Sequence, residues 1–317
     1  MVPFHRASLV DSPSKGTESS GPDPDIRYRR CDDHGRQVTS IGARLGRAAG
    51  TGGEPVPPSA PPAGRCRGDR RQRGLIDVGA GAPVVIMQGY AMQPRTYLKL
   101  AELLAPRCRV IIPSLFVGPG RWSDQTVVSD LAGTLDRLGL ERVTLIGHSF
   151  GGALALEFAA GHAGRVIELV FVDTLAMSRE WTLAAEALHP IHLLWMASAR
   201  AAIDFVHSWA THPRQLVGAA WWGFTSDRRQ QVAALAGTDI PRHVLWADRD
   251  SLLSRPDGER FAHDLGADFT VVHAEDGAPV DHDWMYRHPR LALAQLERLD
   301  LVALRGAGRP QKPPAGP

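Results

Sequence analysis

Short apolar runs recur along the chain between residues 83 and 272, with polar or mixed segments between them. Each run has four to six residues, and valine, leucine and isoleucine dominate most of them. Such runs are typical of parallel β-strands that are covered on both faces. The predicted strands lie at 83–87, 109–113, 143–146, 167–172, 243–247 and 268–272.

The segments between several of these runs carry apolar residues at three- and four-residue spacing, which is the period of an α-helix. We expect a helix over 97–105 that stops at Pro106 and one over 129–138 that ends at Gly139. Strands that alternate with helices form βαβ units, so the predicted fold class is α/β, with a mostly parallel central sheet and helices on both faces. Further helices are predicted over 153–160 and 291–301.

Both ends of the chain lack this pattern. Residues 1–74 are rich in Ser, Pro, Gly and Arg, which predicts a low-complexity, disordered region. Its one structured candidate is a hairpin within 25–40 that turns at Asp33-His34-Gly35. Residues 306–317 are expected to form a loose tail.

Charge is unevenly distributed along the chain. Residues 27–73 hold eleven arginines and four acidic residues, a balance of +7, whereas the whole chain carries only +2. The remainder is therefore mildly acidic. Because the basic segment lacks interleaved aromatic residues, we expect it to be a solvated tail rather than a surface for nucleic acid or anionic lipid.

A segment with helical patterning, 178–238, interrupts the alternation of strands and helices. It holds five of the eight tryptophans of the chain. An aromatic-rich insertion between two strands predicts a helical lid with an apolar substrate pocket, and additional core packing is the alternative. The core domain is then predicted to comprise 75–177 and 239–305. The five tryptophans are Trp181, Trp195, Trp209, Trp221 and Trp222.

The sequence Gly147-His148-Ser149-Phe150-Gly151 joins a predicted strand to a predicted helix. A serine in so tight a turn takes a strained backbone conformation, and the residues two positions away must be small. Gly147 and Gly151 meet this requirement. The Gly-x-Ser-x-Gly pattern in this context predicts that Ser149 is a nucleophile, with an ordinary Gly/Ser turn as the alternative. The N–H of Phe150 is expected to point toward an oxyanion formed beside it.

A serine hydroxyl needs a base within hydrogen-bond reach, and the base needs an acceptor that fixes its tautomer. Sites in open α/β sheets form on loops at the carboxyl ends of the strands. His282 follows the last predicted strand and is the expected base. Asp250 follows the strand at 243–247 and is the expected acid, with Asp248 and Asp173 as alternatives. The order Ser, Asp, His is the one expected for this architecture.

Three nearby residues are expected to have other roles. The side chain of His148 should point away from that of Ser149, which indicates a structural role. His273 is expected in packing or at the surface, and Asp283 in a loop or as a helix cap.

From about residue 75 to 303 the chain resembles an α/β-hydrolase. The resemblance implies that Ser149 is the nucleophile, Asp250 the acid and His282 the base. It also implies that the main-chain N–H groups of Tyr90 and Phe150 form an oxyanion hole. The stretches that carry the resemblance are 88–90, 147–152, 246–250 and 282–284, with Pro289 beyond them.

The first of these stretches departs from the family pattern. Many members have histidine before the glycine, and this chain has Gln88. Because the oxyanion hole uses main-chain N–H groups, we expect the substitution to alter local hydrogen bonding and to leave the hole intact.

The expected function is hydrolysis of an ester, or of a thioester or amide, with a largely apolar acyl group. Alternatives are carbon–carbon bond hydrolysis or perhydrolysis by the same residues, and a ligand-binding protein on the same scaffold without catalysis. Epoxide hydrolases and dehalogenases of this fold use a carboxylate nucleophile, so the hydroxyl of Ser149 argues against them.

No cofactor or metal is expected. The chain has no Gly-x-Gly-x-x-Gly after a strand, no His-Glu-x-x-His and no Walker motif. Cys31, Cys66 and Cys108 have no paired spacing, which argues against a disulfide framework or a zinc site. We expect neither a signal peptide nor a membrane span, a cytoplasmic setting, and a small apolar ester as the partner.

Overall fold

A single sheet organises the protein. The computed structural model describes residues 28–31, 37–38, 74–116, 120–175 and 199–307. Nine strands of this described part pair in the order β2-β1-β3-β5-β4-β6-β7-β8-β9. In chain order they are β1 (Tyr28–Cys31), β2 (Gln37–Val38), β3 (Ile76–Val78), β4 (Pro83–Met87), β5 (Arg109–Ile112), β6 (Val143–His148), β7 (Val166–Val172), β8 (Arg242–Ala247) and β9 (Asp268–Val272).

Six neighbouring strands of the sheet, β5-β4-β6-β7-β8-β9, are parallel. The other three, β1, β2 and β3, pair antiparallel at one edge. All residues of β6 are buried, as both-face coverage requires. The chain runs from β4 outward to β5 and then returns to β6 on the other side of β4. This reversal opens a crevice at the carboxyl ends of β4 and β6, where sites of such sheets form.

Helices surround the sheet. In the described part they are α1 (Leu98–Leu104), α2 (Asp124–Arg137), α3 (Phe150–Gly161), α4 (Ala199–Thr211), α5 (Pro213–Thr225), α6 (Arg229–Ala236), α7 (Arg255–Leu265), α8 (Trp284–Arg287) and α9 (Pro289–Arg298). Three short 3₁₀ segments lie at Pro94–Tyr97, Ala163–Arg165 and Val302–Ala307. The predicted α/β class, with a mostly parallel sheet and helices around it, is confirmed.

All six predicted strands are present, and the predicted hairpin pairs Arg30 with Val38 and Cys31 with Gln37. Strand β3 and helix α7 were not predicted. β3 is only three residues long, and α7 carries six charged or histidine residues that mask its buried face, which packs Phe261 and Leu265 inward. In such a helix the few apolar residues do not form a clear helical period in the sequence.

Helix α2 begins at Asp124, five residues before the predicted start at 129. The cause is a cap, because the side chain of Ser123 accepts a hydrogen bond from the N–H of Thr126. The end was predicted correctly: the chain leaves the helix at Gly139, whose φ of +66° favours glycine.

Helices α4, α5 and α6 lie between β7 and β8, as helical patterning over 178–238 predicted. We refer to these three helices, residues 199–236, as the insertion. Trp181 and Trp195 lie outside the described residues. Among the described helices, none has both the length and the apolar character that a bilayer crossing requires.

Candidate active site

Ser149 occupies a strained turn between β6 and α3. Its backbone has φ 53° and ψ −121°, and its N–H donates to the carbonyl of Val172 over 2.9 Å. Four non-glycine residues of the described part have positive φ. Three of them, Ala91 (58°), Ser149 (53°) and Asp173 (42°), follow the carboxyl ends of the neighbouring strands β4, β6 and β7. Strain of this kind collects at functional sites.

Close approach of backbones at this turn explains its glycines. A Cβ on Gly151 would lie 2.2 Å from the carbonyl oxygen of Met87, and one on Gly147 would lie 2.5 Å from the Cα of Gly152. A Cβ on Gly152 would meet Thr174 Oγ1 at 2.2 Å. The start of α3 therefore lies directly against the end of β4, where Gln88 begins the next loop.

The structure brings together Asp250 and His282, the expected acid and base. Nδ1 of His282 lies 2.8 Å from Oδ2 of Asp250, and both side chains are almost fully buried. Oδ1 of Asp250 accepts hydrogen bonds from the N–H groups of Leu252 and Leu253, each 2.8 Å long. The carboxylate is thus fixed by its own loop and aimed at one ring nitrogen.

Electrostatics couple this pair. Burial alone would lower the pKa of His282, but the charge of Asp250 and its hydrogen bond, with Asp173 and Asp281 adding to them, raise it to about 9. Burial alone would raise the pKa of Asp250, but the charge and hydrogen bond of His282 and the N–H groups of Leu252 and Leu253 outweigh it and lower the pKa. The pair therefore favours an imidazolium beside a carboxylate.

The structure does not join Ser149 to His282 by a hydrogen bond. Neither the Ser149 hydroxyl nor Nε2 of His282 has a hydrogen-bond partner among the described residues. Ser149 is half-buried, and the ring of its neighbour His148 lies 5.1 Å from the ring of His282. Hydrogen bonds between catalytic groups are often long or absent before substrate binds, so their absence among the described residues does not exclude a catalytic pair.

The two alternative acids have other partners. Asp173 is fully buried, and its two oxygens accept from the N–H of Ala247 (2.7 Å) and from Nε1 of Trp284 (2.6 Å). Burial, with the charge of Asp250, raises the pKa of Asp173 well above its usual value. Asp248 accepts from the N–H of Val280 and lies 3.3 Å from the exposed ring of His273.

The expected base, His282, and two other buried side chains form a cluster. One ligand atom from each of His148, Asp173 and His282 lies within 4.8 Å of the others. Both nitrogens of His148 and both oxygens of Asp173 already have hydrogen-bond partners. This donor set fits a hydrogen-bond network better than a metal centre.

The predicted oxyanion donors, Tyr90 and Phe150, lie side by side. Their ring centroids are 5.8 Å apart, and the main-chain N–H of neither residue donates to a described residue. Gln88, the departure from the family pattern, is buried and donates from Nε2 to the carbonyl of Pro113 over 2.8 Å. Its side chain thereby secures the start of the loop that holds Tyr90. We call residues 88–97 the oxyanion loop.

Four side-chain contacts tie this loop to the insertion. Tyr90 Oη donates to the carbonyl of Leu216 over 2.9 Å, and Gln93 Nε2 donates to Ser208 Oγ over 2.6 Å. Thr96 and Arg95 both bind the carboxylate of Asp204, which is 1% exposed. The position of the loop therefore depends on helices α4 and α5.

The predicted pocket tryptophans occupy different environments. Trp209 packs on Tyr90 with ring centroids 6.5 Å apart, and Trp222 packs on Phe150 at 5.5 Å. Trp221 is 72% exposed and lines an open surface groove of about 870 Å³ beside Trp222. Trp209 and Trp222 thus border the residues predicted as oxyanion donors, whereas Trp221 contributes to the outer surface.

Sequence reasoning missed two aromatic residues of the site. Trp122 packs on Phe150 (5.4 Å) and on Trp222 (6.0 Å), and Tyr97 hydrogen-bonds to His148. Trp122 follows β5, so the rule that sites form at carboxyl ends of strands would have indicated it. No local sequence pattern indicates a role for Tyr97 in the site, because it occupies an ordinary apolar position at the start of a helix.

The chain is similar in sequence to several known proteins. The chain is 39% identical over 126 residues to 2-hydroxy-6-oxo-2,4-heptadienoate hydrolase of Pseudomonas putida, a match that covers 36% of this chain and 45% of that protein. It is 28% identical over 271 residues to a candidate non-heme haloperoxidase of Mycobacterium phage D29, covering 74% and 95% of the two chains. The first match thus spans less than half of its relative.

A solved structure shows the same fold. A thermophilic esterase from Thermogutta terrifontis superposes with a TM-score of 0.58 at 24% identity, over 71% of this chain and 92% of that one. The model of the "Alpha/beta hydrolase family" matches residues 79–308, which include Ser149, Asp250 and His282. The resemblance seen in the sequence is confirmed, and this chain belongs to the alpha/beta hydrolase family.

Proposed function

We propose that this protein is a serine hydrolase that cleaves an ester, with thioesters and amides as chemically related substrates, through an acyl-enzyme on Ser149. The observation that carries the proposal is the buried hydrogen bond between Asp250 and His282, in a chain whose Gly-x-Ser-x-Gly serine is held at φ 53° between β6 and α3. An imidazole oriented by a carboxylate at Nδ1 is the arrangement that makes a serine hydroxyl nucleophilic.

In the first half of the reaction, the Ser149 oxygen attacks the ester carbonyl and its proton passes to Nε2 of His282. The N–H groups of Tyr90 and Phe150, which donate to no described residue, stabilise the oxyanion of the tetrahedral intermediate. His282 then protonates the leaving alkoxide, which departs as an alcohol. Asp250 stabilises the imidazolium during these steps, consistent with the raised pKa of His282.

Water completes the cycle. His282, now neutral, removes a proton from a water molecule that attacks the acyl-enzyme. It returns this proton to the Ser149 oxygen as the second tetrahedral intermediate collapses, which releases the carboxylic acid and restores the Ser149 hydroxyl. The aromatic rings of Trp122, Trp209 and Trp222 border this region, which supports an apolar acyl group. In this proposal the insertion acts as the lid.

The test is turnover of p-nitrophenyl esters of increasing acyl length by wild type, Ser149→Ala and Ser254→Ala. Ser254 is an exposed serine whose side chain makes no cap hydrogen bond, so it is a matched control for loss of a hydroxyl. We expect Ser149→Ala to lose turnover and fluorophosphonate labelling, and Ser254→Ala to keep both. Labelling that persists in Ser149→Ala, or wild type that binds an apolar ligand without turnover, contradicts the proposal.

Carbon–carbon bond hydrolysis is the second candidate. It is favoured by the 39% identity to 2-hydroxy-6-oxo-2,4-heptadienoate hydrolase. The same groups would serve, with His282 protonating a carbon leaving group instead of an alkoxide. Comparison of kcat/KM for p-nitrophenyl butyrate with that for a 2-hydroxy-6-oxo-dienoate separates the two reactions. A peroxide-dependent assay with acetate tests perhydrolysis in the same series.

A further inference from the structure

An unbroken chain of three hydrogen bonds runs behind the nucleophile. The N–H of Gly89 donates to the hydroxyl of Tyr97 over 2.9 Å, and that hydroxyl lies 2.6 Å from Nδ1 of His148. Nε2 of His148 lies 2.9 Å from the main-chain carbonyl oxygen of His282. All four residues are buried.

The donor at one end of this hydrogen-bond series and the acceptor at the other, together with a neutral His148 ring, fix the direction of all three hydrogen bonds. A main-chain N–H only donates and a carbonyl only accepts, so Nε2 of His148 carries the proton that binds His282. Nδ1 of the neutral ring must then accept, and Tyr97 is its donor. Burial keeps this arrangement neutral, because it raises the pKa of Tyr97 and, with the charge of His282, lowers that of His148 to about 3.

The three linked elements are those that the proposed reaction requires. Gly89 adjoins Tyr90, one of the proposed oxyanion donors, and His148 adjoins the nucleophile Ser149. The last bond ends on the backbone of the base itself. The Tyr97–His148 hydrogen bond joins residues 51 positions apart, and the His148–His282 hydrogen bond joins residues 134 positions apart. Both therefore connect loops that are distant in the sequence.

We propose that Tyr97 and His148 are positioning residues that set the distance between the oxyanion loop and His282. This inference rests on the proposed function. It assigns a role to the histidine of the Gly-His-Ser motif, which acts through its neighbours and does not touch the reacting atoms. Displacements of about 1 Å between reacting groups lower rates by about a hundredfold, so a modest shift of either loop is measurable.

Tyr97→Phe removes the central hydroxyl and keeps the ring. Tyr286→Phe is the matched control, because the Tyr286 ring lies 5.4 Å from that of Tyr97 and 5.9 Å from that of His148. The Tyr286 hydroxyl has no hydrogen-bond partner among the described residues. Both variants thus delete one phenolic oxygen from the same aromatic cluster, but only Tyr97→Phe removes hydrogen bonds of the series from Gly89 to His282.

We expect Tyr97→Phe to lower kcat about tenfold with KM within about twofold of wild type. Affinity for a boronic acid that forms a tetrahedral adduct on serine should fall by a similar factor, because that adduct needs both the oxyanion donors and the base in place. Tyr286→Phe should change neither quantity. A loss of folding would instead appear in the circular dichroism spectrum and in active-site titration.

Substitution of His148 gives an independent measurement. His148→Gln keeps an amide that donates toward the His282 carbonyl, whereas His148→Leu keeps only volume. We expect the glutamine variant to retain several-fold more kcat than the leucine variant, as positioning by hydrogen bonding requires.

The outcomes separate the two proposals. If ester turnover depends on Ser149 but Tyr97→Phe equals Tyr286→Phe in kcat and boronic acid affinity, the positioning role is wrong and the proposed function stands. The role is also wrong if the glutamine and leucine variants are equal. If wild type has no turnover that depends on Ser149, both proposals fail.

Discussion

The base side of the site is polar, buried and hydrogen-bonded at almost every atom, whereas the side facing the insertion is aromatic and partly exposed. On the first side, the polar side-chain atoms of His148, Asp173, Asp250 and His282 all have hydrogen-bond partners within the described part of the chain, except Nε2 of His282. On the second side, ring contacts dominate, and the buried Nε1 of Trp122 has no hydrogen-bond partner among the described residues.

The difference between the polar side and the aromatic side indicates that the two sides have different roles. Directional hydrogen bonds hold a geometry within a few tenths of an ångström, which proton transfer requires. Contacts between rings are broad in angle and distance, so an aromatic wall adapts to ligands of different shape. We therefore expect substitutions on the base side to change rates and substitutions on the aromatic side to change selectivity.

The largest effect is expected for Asp250→Asn. An amide cannot compensate the imidazolium and favours the wrong tautomer of His282, so kcat should fall by roughly 10³- to 10⁴-fold. Asp173→Asn should reduce kcat far less and stability more, because Asp173 holds Ala247 and Trp284. Ester kinetics and thermal denaturation of the two variants make the comparison. A larger kcat loss for Asp173→Asn would make Asp173 the acid.

A pH profile should show the next largest effect. The base acts as neutral imidazole, and the pKa of His282 is raised to about 9, so kcat/KM should increase with pH and reach half its maximum near pH 9. Between pH 7 and 9 the increase should be about 50-fold for a single ionisation. In Asp250→Asn the rising limb should move to lower pH. A wild-type profile that is flat from pH 7 to 9 contradicts the raised pKa.

Stability should change in the opposite direction. A histidine whose pKa is higher in the folded state than in the unfolded state stabilises the fold fully below its unfolded pKa. That contribution is lost as the pH rises from about 6.5 through about 9. Urea denaturation at several pH values, compared between wild type and Asp250→Asn, measures it.

On the aromatic side, Trp222→Ala should change selectivity. The ring of Trp222 packs on Phe150 at 5.5 Å and lies 4.2 Å beneath the guanidinium of Arg228, so its removal opens apolar space beside Phe150. We expect KM for short acyl esters to rise about tenfold, and preference to move toward bulkier acyl groups. Trp222→Phe should lie between wild type and alanine. An unchanged acyl-length profile excludes Trp222 from the pocket.

The smallest effect is expected for Trp221→Ala. Trp221 is 72% exposed and contacts the outer groove, so kcat/KM for p-nitrophenyl acetate should change by less than about twofold. Measuring kcat/KM of Trp222→Ala with the same ester compares the effects of the two neighbouring tryptophans. A loss for Trp221→Ala as large as that for Trp222→Ala would place the substrate in the groove.

The sequence by itself determined the six parallel strands and the strained serine turn, and it made Asp250 one of three candidate partners for His282. These features rest on local patterns: buried parallel strands are continuous apolar runs, and glycine is required where backbones approach to less than 3 Å. The order of the strands then carries both residues of the pair to the same edge of the sheet.

Only the tertiary structure decided what surrounds those residues. Asp173 and Asp250 each follow a strand and lie near His282. Asp250 hydrogen-bonds to Nδ1 of His282, whereas Asp173 hydrogen-bonds to Ala247 and Trp284, and the sequence does not show this difference. Likewise, Tyr97 and His148 meet because β4 and β6 are neighbours in the sheet, although the two residues are 51 positions apart. Such contacts depend on how whole elements pack, and a local pattern of residues does not contain that information.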